Sequence, residues 1–127
     1  MPFQFLRKDE VLKLHARLLE RFGGTHGLRD EGALESALAA AENRYHYENA
    51  DLATCAATYA YHLSQAHAFI DGNKRIAAHV SEVFLGLNGA ELTATDDQSI
   101  ELFMKIAAGE LSRDEVEQFF KQRVAIR

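Results

Sequence analysis

The sequence contains little cysteine and proline and no tryptophan. Its 127 residues include one cysteine, one proline and no tryptophan. Because the single Cys55 cannot form an internal disulfide, disulfide-stapled secreted domains are excluded and a reducing cytoplasm is expected. One proline in a chain rich in alanine, leucine and glutamate favours helices over a turn-dense β-sandwich.

Long hydrophobic runs and an excess of positive charge are also missing. No apolar stretch approaches the roughly 20 residues of a membrane-spanning helix, and the amino terminus does not resemble a signal peptide, so we expect no membrane association. The net charge of -5 gives no broad basic surface, so we expect no direct nucleic-acid binding, although a local basic patch stays open.

The rest of the composition is that of a compact globular protein. Hydrophobic residues make up 47% and charged residues 26%, the ordinary balance of a folded domain and not of a disordered chain. A length of 127 residues is close to the usual size of one domain, and no linker or repeat is visible. We therefore treat residues 1–127 as a single domain.

Apolar residues at three- and four-residue intervals predict an all-α fold of about six helices. The first helix covers Val11 to Phe22 and ends at Gly23-Gly24, where the apolar pattern stops. The second follows the N-cap Asp30 and fades toward Asn43. Residues 44–50 show no clear period and are predicted to form a loop.

Signals at helix starts and ends predict four further helices and one extended piece. An aspartate cap starts the third helix, an Asn-Gly pair ends the fourth, and two capping boxes start the fifth and sixth. The third helix follows Asp51 and runs to about Ala66, and the fourth runs from Asn73 to Leu87 and ends at Asn88-Gly89. The capping boxes are Thr95-x-x-Gln98 and Ser112-x-x-Glu115, and the extended piece covers residues 90–94. The fourth helix is expected at the centre of a compact bundle, with a loop leading into its N-terminus.

The segment from His67 to Arg75 combines groups that suit phosphate chemistry. Within nine residues it holds an imidazole, a carboxylate, a glycine and two cations, at the entry of the fourth helix. The first turn of a helix presents unpaired N–H groups and a positive dipole end, which favour a phosphate, and Lys74 and Arg75 add to that field. Gly72 lets the backbone approach a ligand, and Asn73 can cap the helix or donate to an oxygen.

Two side chains of this segment are candidates for the chemistry itself. Asp71 could hold a Mg²⁺ that shields phosphate charge, and His67 is placed as a general base. Each also has a plainer structural interpretation, since an isolated histidine is more often a core or capping group, and Asp71-Gly72 alone indicates a turn. Phe69 is interpreted as a core anchor that pins the loop. The order of these residues at one helix entry favours the functional interpretation.

This order of residues resembles the signature of the Fic/Doc family, in which His-x-Phe-x-Asp/Glu-Gly-Asn precedes a phosphate-binding turn. The resemblance extends from about Val11 to Val116, and Phe22-Gly23-Gly24, Gly27 to Asp30 and the helix from Leu34 to Leu38 look like the death-on-curing branch. It implies a helical domain that uses ATP or another nucleoside triphosphate, with Mg²⁺, to modify a threonine or serine hydroxyl of a protein.

The resemblance also assigns roles by position. It implies that His67 takes the proton of the target hydroxyl and that Asp71 binds Mg²⁺. The residues that it implies for holding the phosphates are Gly72, Asn73, Lys74 and Arg75.

Departures from the family pattern bear on the reaction type. Where adenylylating members have Gly-Asn-Gly-Arg and a second arginine, this chain has Lys74 and Ala78. Lys74, in the place of that glycine, is similar to the lysine of the death-on-curing branch. This similarity implies an inverted nucleotide and phosphorylation of the target. Gly72 in place of that branch's alanine, and Ile76 in place of a common threonine, keep adenylylation as the alternative.

Partners follow from the same resemblance. It implies a translation factor such as elongation factor Tu as the target, with arrest of translation as the result. The chain lacks the Ser/Thr-x-x-x-Glu-Gly/Asn motif of inhibitory helices, so control by a Phd-like antitoxin is expected. Within the predicted loop, Tyr45, His46 and Tyr47 are a candidate flap that docks the target, and a mobile connection between helices is an equal interpretation.

Two other function classes stay open. The chain could be a non-catalytic module that binds an antitoxin, or a metal hydrolase in which His62, His67 and Asp71 bind a transition metal. Against the metal site, no His-Glu-x-x-His pairing occurs, and Lys74 and Arg75 would repel a dication. The histidines otherwise expected in the core are His15, His62 and His79, and the one expected on the surface is His26.

Overall fold

Residues 2–127 fold into six α-helices and a two-stranded sheet. A computed structural model describes residues 2–127. The helices are α1 (Lys8–Phe22), α2 (Glu31–Glu48), α3 (Leu52–Ala66), α4 (Asn73–Leu87), α5 (Asp96–Ala107) and α6 (Arg113–Arg123), and the strands are β1 (Ala90–Leu92) and β2 (Val124–Ile126). The predicted all-α class and the number of helices are confirmed. Within the described residues, no helix combines the length and the apolar character needed to cross a bilayer.

Helices α3 and α4 form the centre of the bundle. Helix α3 packs against α2, α4, α5 and α6, and α4 also contacts α1 and β1. Ten of the fifteen residues of α3 are buried, and small side chains such as Ala56 and Ala60 let the neighbouring helices approach closely. Cys55 is buried there too, and burial raises the pKa of its thiol to about 12, so the thiol stays protonated at neutral pH.

Side chains cap the helix starts where the sequence predicts them. Asp30 and Asp51 each accept a backbone N–H from the first turn of the helix that follows. Both predicted capping boxes are formed, since Thr95 and Ser112 each accept an N–H and receive the return bond from the third residue of the helix. These bonds satisfy donors that a helix start otherwise leaves free.

The two strands pair at the end of the chain. Strand β1 is antiparallel to β2, with Ala90 opposite Ile126 and Leu92 opposite Val124. The extended piece predicted at residues 90–94 is therefore confirmed for its first three residues. The sequence pattern does not reveal its partner, because a three-residue strand is too short to show an alternation of apolar and polar side chains.

The loop predicted for residues 44–50 is wrong for residues 44–48, which are helical, and is confirmed for Asn49 and Ala50. Helix α2 continues to Glu48 and ends at Asn49, whose left-handed φ of 52° is one that asparagine tolerates. Arg44 Nε lies 2.9 Å from a carboxylate oxygen of Glu48, one turn later. The Tyr45 ring lies 4.6 Å from that of Phe3, centroid to centroid. Because Phe3 is distant in sequence, hydrophobic spacing within the segment cannot reveal this support.

Arg44 also joins α2 to α6. Its Nη1 donates to Glu117 Oε1, and the two side chains are nearly buried, with exposures of 16% and 11%. A buried charge without its partner is strongly unfavourable, so this pair links the stability of the two helices.

Replacing Glu117 by alanine leaves the Arg44 guanidinium with Glu48 as its partner. We expect the free energy of unfolding to fall by about 2–4 kcal/mol, which is toward the low side for a broken buried pair because Glu48 remains. Urea unfolding followed by far-UV circular dichroism measures the change. As a matched control, Glu101→Ala removes an exposed pair with Lys105 and should change stability little. Equal losses for the two variants would contradict this account.

Candidate functional site

Residues 67–72 form a tight loop between the end of α3 and the start of α4. His67 follows the last residue of α3 and adopts a left-handed φ of 48°. Gly72 precedes α4 with a φ of 77°, which glycine adopts without strain. The start of α4 at Asn73 confirms the predicted helix entry. The turn of the chain places His67 and the first turn of α4 around one cavity.

The Asn73 side chain and the Phe69 ring hold this loop. Asn73 Oδ1 accepts the Phe69 N–H at 3.0 Å, and Asn73 Nδ2 donates to the Phe69 carbonyl at 2.9 Å. The Phe69 ring is 2% exposed and stacks on the His15 ring with the centroids 3.7 Å apart. The side-chain amide of Asn73 is therefore occupied within the loop. The phosphate contact expected of Asn73 is left to its backbone N–H.

Two backbone N–H groups orient the Asp71 carboxylate. Oδ1 accepts from Gly72 at 2.9 Å, and Oδ2 accepts from Thr25 at 3.2 Å. A carboxylate has about four acceptor sites, so both oxygens keep lone pairs for a cation. Mg²⁺ is usually held by one or two protein carboxylates together with substrate phosphates. Asp71 lines the cavity beside the first turn of α4 and therefore fits this kind of site.

The loop between α1 and α2, residues 23–30, runs along the motif, which the sequence alone does not show. The Ile70 N–H donates to the Gly27 carbonyl at 3.1 Å. A Cβ at Gly24 would lie 2.9 Å from Asp71 Oδ2, so glycine is needed for this close approach. Three glycines within five residues were the signal that could have indicated a segment packed closely against another backbone.

A cavity of about 570 Å³ opens between the loop of residues 67–72, α4 and α5. One side carries His67 and residues 70–75, and the opposite side carries α5. The remaining lining residues are Ser64, Ala78, Ser99, Ile100, Phe103, Met104 and Ala107. The cavity therefore has a polar, cationic side and a largely apolar side.

Lys74 and Arg75 bring positive charge to the polar side. Within residues 2–127 neither side chain forms an ion pair. The Arg75 guanidinium lies 4.3 Å from the centroid of the Phe22 ring at the end of α1, a contact that leaves its charge unneutralised. In the described part of the chain no side chain caps α4, so the N–H groups of its first turn stay available. This arrangement can bind a phosphate group.

The His67 ring is exposed at the cavity and, within the part of the chain that the structure describes, forms no hydrogen bond. Its carbonyl accepts from Arg29 Nη2 at 2.9 Å, a contact that supports the left-handed backbone. A free imidazole of this kind can take the proton of an incoming hydroxyl. The structure thus brings His67, Asp71 and residues 72–75 together, with Ala78 on the same wall.

The candidate flap lies elsewhere. Tyr45, His46 and Tyr47 belong to the last turns of α2, and none of them lines the cavity. Tyr47 is 85% exposed, whereas Tyr45 packs on Phe3. Docking of a target by these three residues stays a prediction, and it would have to use side chains because the backbone is helical.

The histidines outside the motif differ in their surroundings. His15 is buried and hydrogen-bonded and His26 is exposed, as expected. His62 and His79 are only partly buried, so the prediction of core positions for them is wrong. Among residues 2–127, no group of three or more His, Cys, Asp or Glu side chains could hold a metal ion, so the metal-hydrolase alternative has no ligand set.

Most of the chain is similar to proteins of one family. The model of the Fic/DOC family matches residues 5–85, which include the whole loop. The chain is 32% identical over 105 residues to protein kinase doc of Escherichia phage P1, covering 82% of each protein. It is also 32% identical over 117 residues to Toxin Doc of Mycolicibacterium smegmatis (strain ATCC 700084 / mc(2)155), covering 89% of this chain and 88% of that protein. With the motif, the cavity and these matches in agreement, the chain belongs to the Fic/Doc family.

Proposed function

We propose that the chain is the toxin of a toxin–antitoxin module and phosphorylates a threonine or serine hydroxyl of a protein, with ATP as the donor. The observation that carries the proposal is the exposed His67 imidazole, which forms no hydrogen bond within residues 2–127, beside a cavity that is also lined by Asp71, Lys74 and the start of α4. The names of two relatives support it, since the phage protein is called a protein kinase and the mycobacterial protein a toxin.

The two sides of the cavity suit the two halves of ATP. A volume of about 570 Å³ lies within the usual range for small-molecule sites. The cationic side, with Lys74 and the N–H groups of α4, would hold the phosphates. The apolar side chains of α5 offer a surface for the base.

The proposed reaction needs positioning more than covalent chemistry from the protein. The target oxygen forms a bond to the γ-phosphorus while the bond from that phosphorus to the bridging oxygen breaks, and ADP leaves. His67 takes the proton of the target hydroxyl. Lys74 and the first-turn N–H groups neutralise charge on the phosphoryl oxygens, which is the main demand of phosphoryl transfer.

Asp71 is proposed to hold Mg²⁺ for this reaction. The N–H groups of Thr25 and Gly72 orient its carboxylate and leave acceptor sites on both oxygens. When bound, the ion would neutralise charge on the phosphates. One carboxylate from the protein would be enough for such a site, because Mg²⁺ is usually held by one or two protein carboxylates together with substrate phosphates.

The proposed target is a translation factor such as elongation factor Tu, so that its phosphorylation arrests translation. The proposed inhibitor is an antitoxin of the Phd-like type. The name of the mycobacterial relative, a toxin, supports an antitoxin partner.

The test is to incubate the purified chain with Mg²⁺, ATP and elongation factor Tu and to weigh the intact target by mass spectrometry. We expect the gain of one phosphate group. The gain of one adenylate would show the adenylylation alternative instead, and no gain would reject this target.

His67→Ala removes the proposed base. We expect the rate of target modification to fall by about 10²–10⁴-fold, because positioned proton transfer contributes that much. Nucleotide affinity should change little, since the ring is not proposed to hold phosphate. The matched control is His26→Ala, which removes an exposed histidine outside the cavity. If the two variants have equal rates, His67 is not the base.

Lys74→Ala removes a cation that has no ion-pair partner within residues 2–127. We expect ATP to bind about ten- to a hundredfold more weakly by isothermal titration calorimetry, the effect of losing one charged hydrogen bond. Lys13→Ala removes an exposed cation of α1 that does not line the cavity and serves as the control for general electrostatics. Similar affinities for the two variants would contradict a phosphate contact by Lys74.

A further inference from the structure

A buried histidine of α1 contacts the loop from outside the motif. His15 is 4% exposed, and its ring stacks on the Phe69 ring at 3.7 Å between centroids, with an angle of 15° between the planes. His15 Nε2 lies 2.8 Å from the Asp71 carbonyl oxygen. A Cβ at Gly72 would lie 3.5 Å from the same nitrogen, so the edge of the ring borders that residue as well.

The carbonyl bond determines the tautomer of His15. A carbonyl oxygen only accepts, so we assign the proton to Nε2, which donates to Asp71. The ring is therefore held by stacking on one side and by a directed bond at its edge. A buried aromatic residue without a donor would provide only the stacking.

The bond from His15 acts on a peptide unit that also orients the candidate magnesium ligand. The carbonyl of Asp71 and the N–H of Gly72 belong to one planar peptide and point in opposite directions. His15 binds the carbonyl end, and the N–H end donates to Asp71 Oδ1 at 2.9 Å. Holding the carbonyl therefore aims the N–H that holds the carboxylate.

Gly72 makes such a restraint necessary. Its left-handed φ of 77° is one of several conformations that glycine adopts readily, so the Asp71–Gly72 peptide has little intrinsic preference for the observed plane. The Thr25 N–H restrains the other carboxylate oxygen. His15 restrains the peptide itself.

We propose that His15 is a positioning residue that orients the Asp71–Gly72 peptide and, through it, the Asp71 carboxylate that receives Mg²⁺ with the nucleotide. The proposal rests on the role of Asp71 in the proposed function. It assigns to α1 a part in binding the metal–nucleotide complex, in addition to its contribution to the core.

Two variants separate the two contacts of His15. His15→Phe keeps an aromatic ring for stacking on Phe69 but has no donor for the Asp71 carbonyl. His15→Gln keeps a donor amide of similar reach but lacks the ring. If the hydrogen bond positions Asp71, the phenylalanine variant loses function while its thermal midpoint stays close to that of the wild type, and the glutamine variant keeps function while it loses stability.

Isothermal titration with ATP, in the presence of Mg²⁺ and in EDTA, is the first measurement. We expect His15→Phe to weaken binding about tenfold with Mg²⁺ and little without it, because Asp71 acts through the ion. His15→Gln should bind within about threefold of the wild type. On an Asp71→Asn background, His15→Phe should cause no further loss, since the group that it positions is already removed.

Amide hydrogen exchange at Gly72 in the ligand-free chain is the second measurement. We expect His15→Phe to raise the exchange rate of this N–H about tenfold, and His15→Gln to leave it near the wild-type rate. If the wild type binds no ATP with Mg²⁺, the proposed function fails, and the exchange rates still decide whether His15 orients the peptide. Unchanged exchange, equal losses with and without Mg²⁺, or additive losses with Asp71→Asn would each overturn the proposal.

Discussion

The site depends on the pair of hydrogen bonds between the Asn73 amide and the backbone of Phe69. These bonds close residues 69–73 into a compact turn, so that α4 begins immediately after the loop that carries His67 and Asp71. The buried Phe69 ring ties the turn to the core. The proposed catalysis depends on positioning, which requires a defined geometry of the imidazole, the carboxylate and the helix start. The closed turn provides that geometry.

Support for the turn comes from the first thirty residues, which contain none of the motif. The His15 ring stacks on Phe69, the Thr25 N–H donates to the Asp71 carboxylate, and the absence of a side chain at Gly24 lets residues 23–30 approach the motif closely.

The distribution of ion pairs also leaves positive charge available at the site. Away from the site Lys8 is paired with two glutamates and Arg44 with two others, whereas among the described residues the cations at positions 74 and 75 have no acidic partner. A chain with a net charge of -5 thus keeps a local attraction for anions.

Several elements of the fold could be predicted because their signals are local. Helices α3 and α4 both have apolar stripes. Helix α3 begins after its Asp51 cap and α4 ends at Asn88-Gly89, and the structure confirms the predicted bounds of both helices. The end of α2 could not be predicted, since its last turns are stabilised by Phe3 and by Arg44 contacts that no local period reveals. The same holds for β2, whose three residues form a strand only because β1 lies beside them.

The order of the chemical groups can be read directly along the chain, because imidazole, carboxylate, glycine and cations lie within nine consecutive residues at one helix start. That order was sufficient to indicate the family and the candidate residues. The packing of the helices directs the Asn73 amide to the loop, places α5 on the apolar side of the cavity, and brings α1 and residues 23–30 against Asp71. Thr25 and Asp71 are 46 positions apart, and His15 and Asp71 are 56 apart. Contacts at such separations arise from the packing of whole helices, and no spacing rule along the chain encodes them.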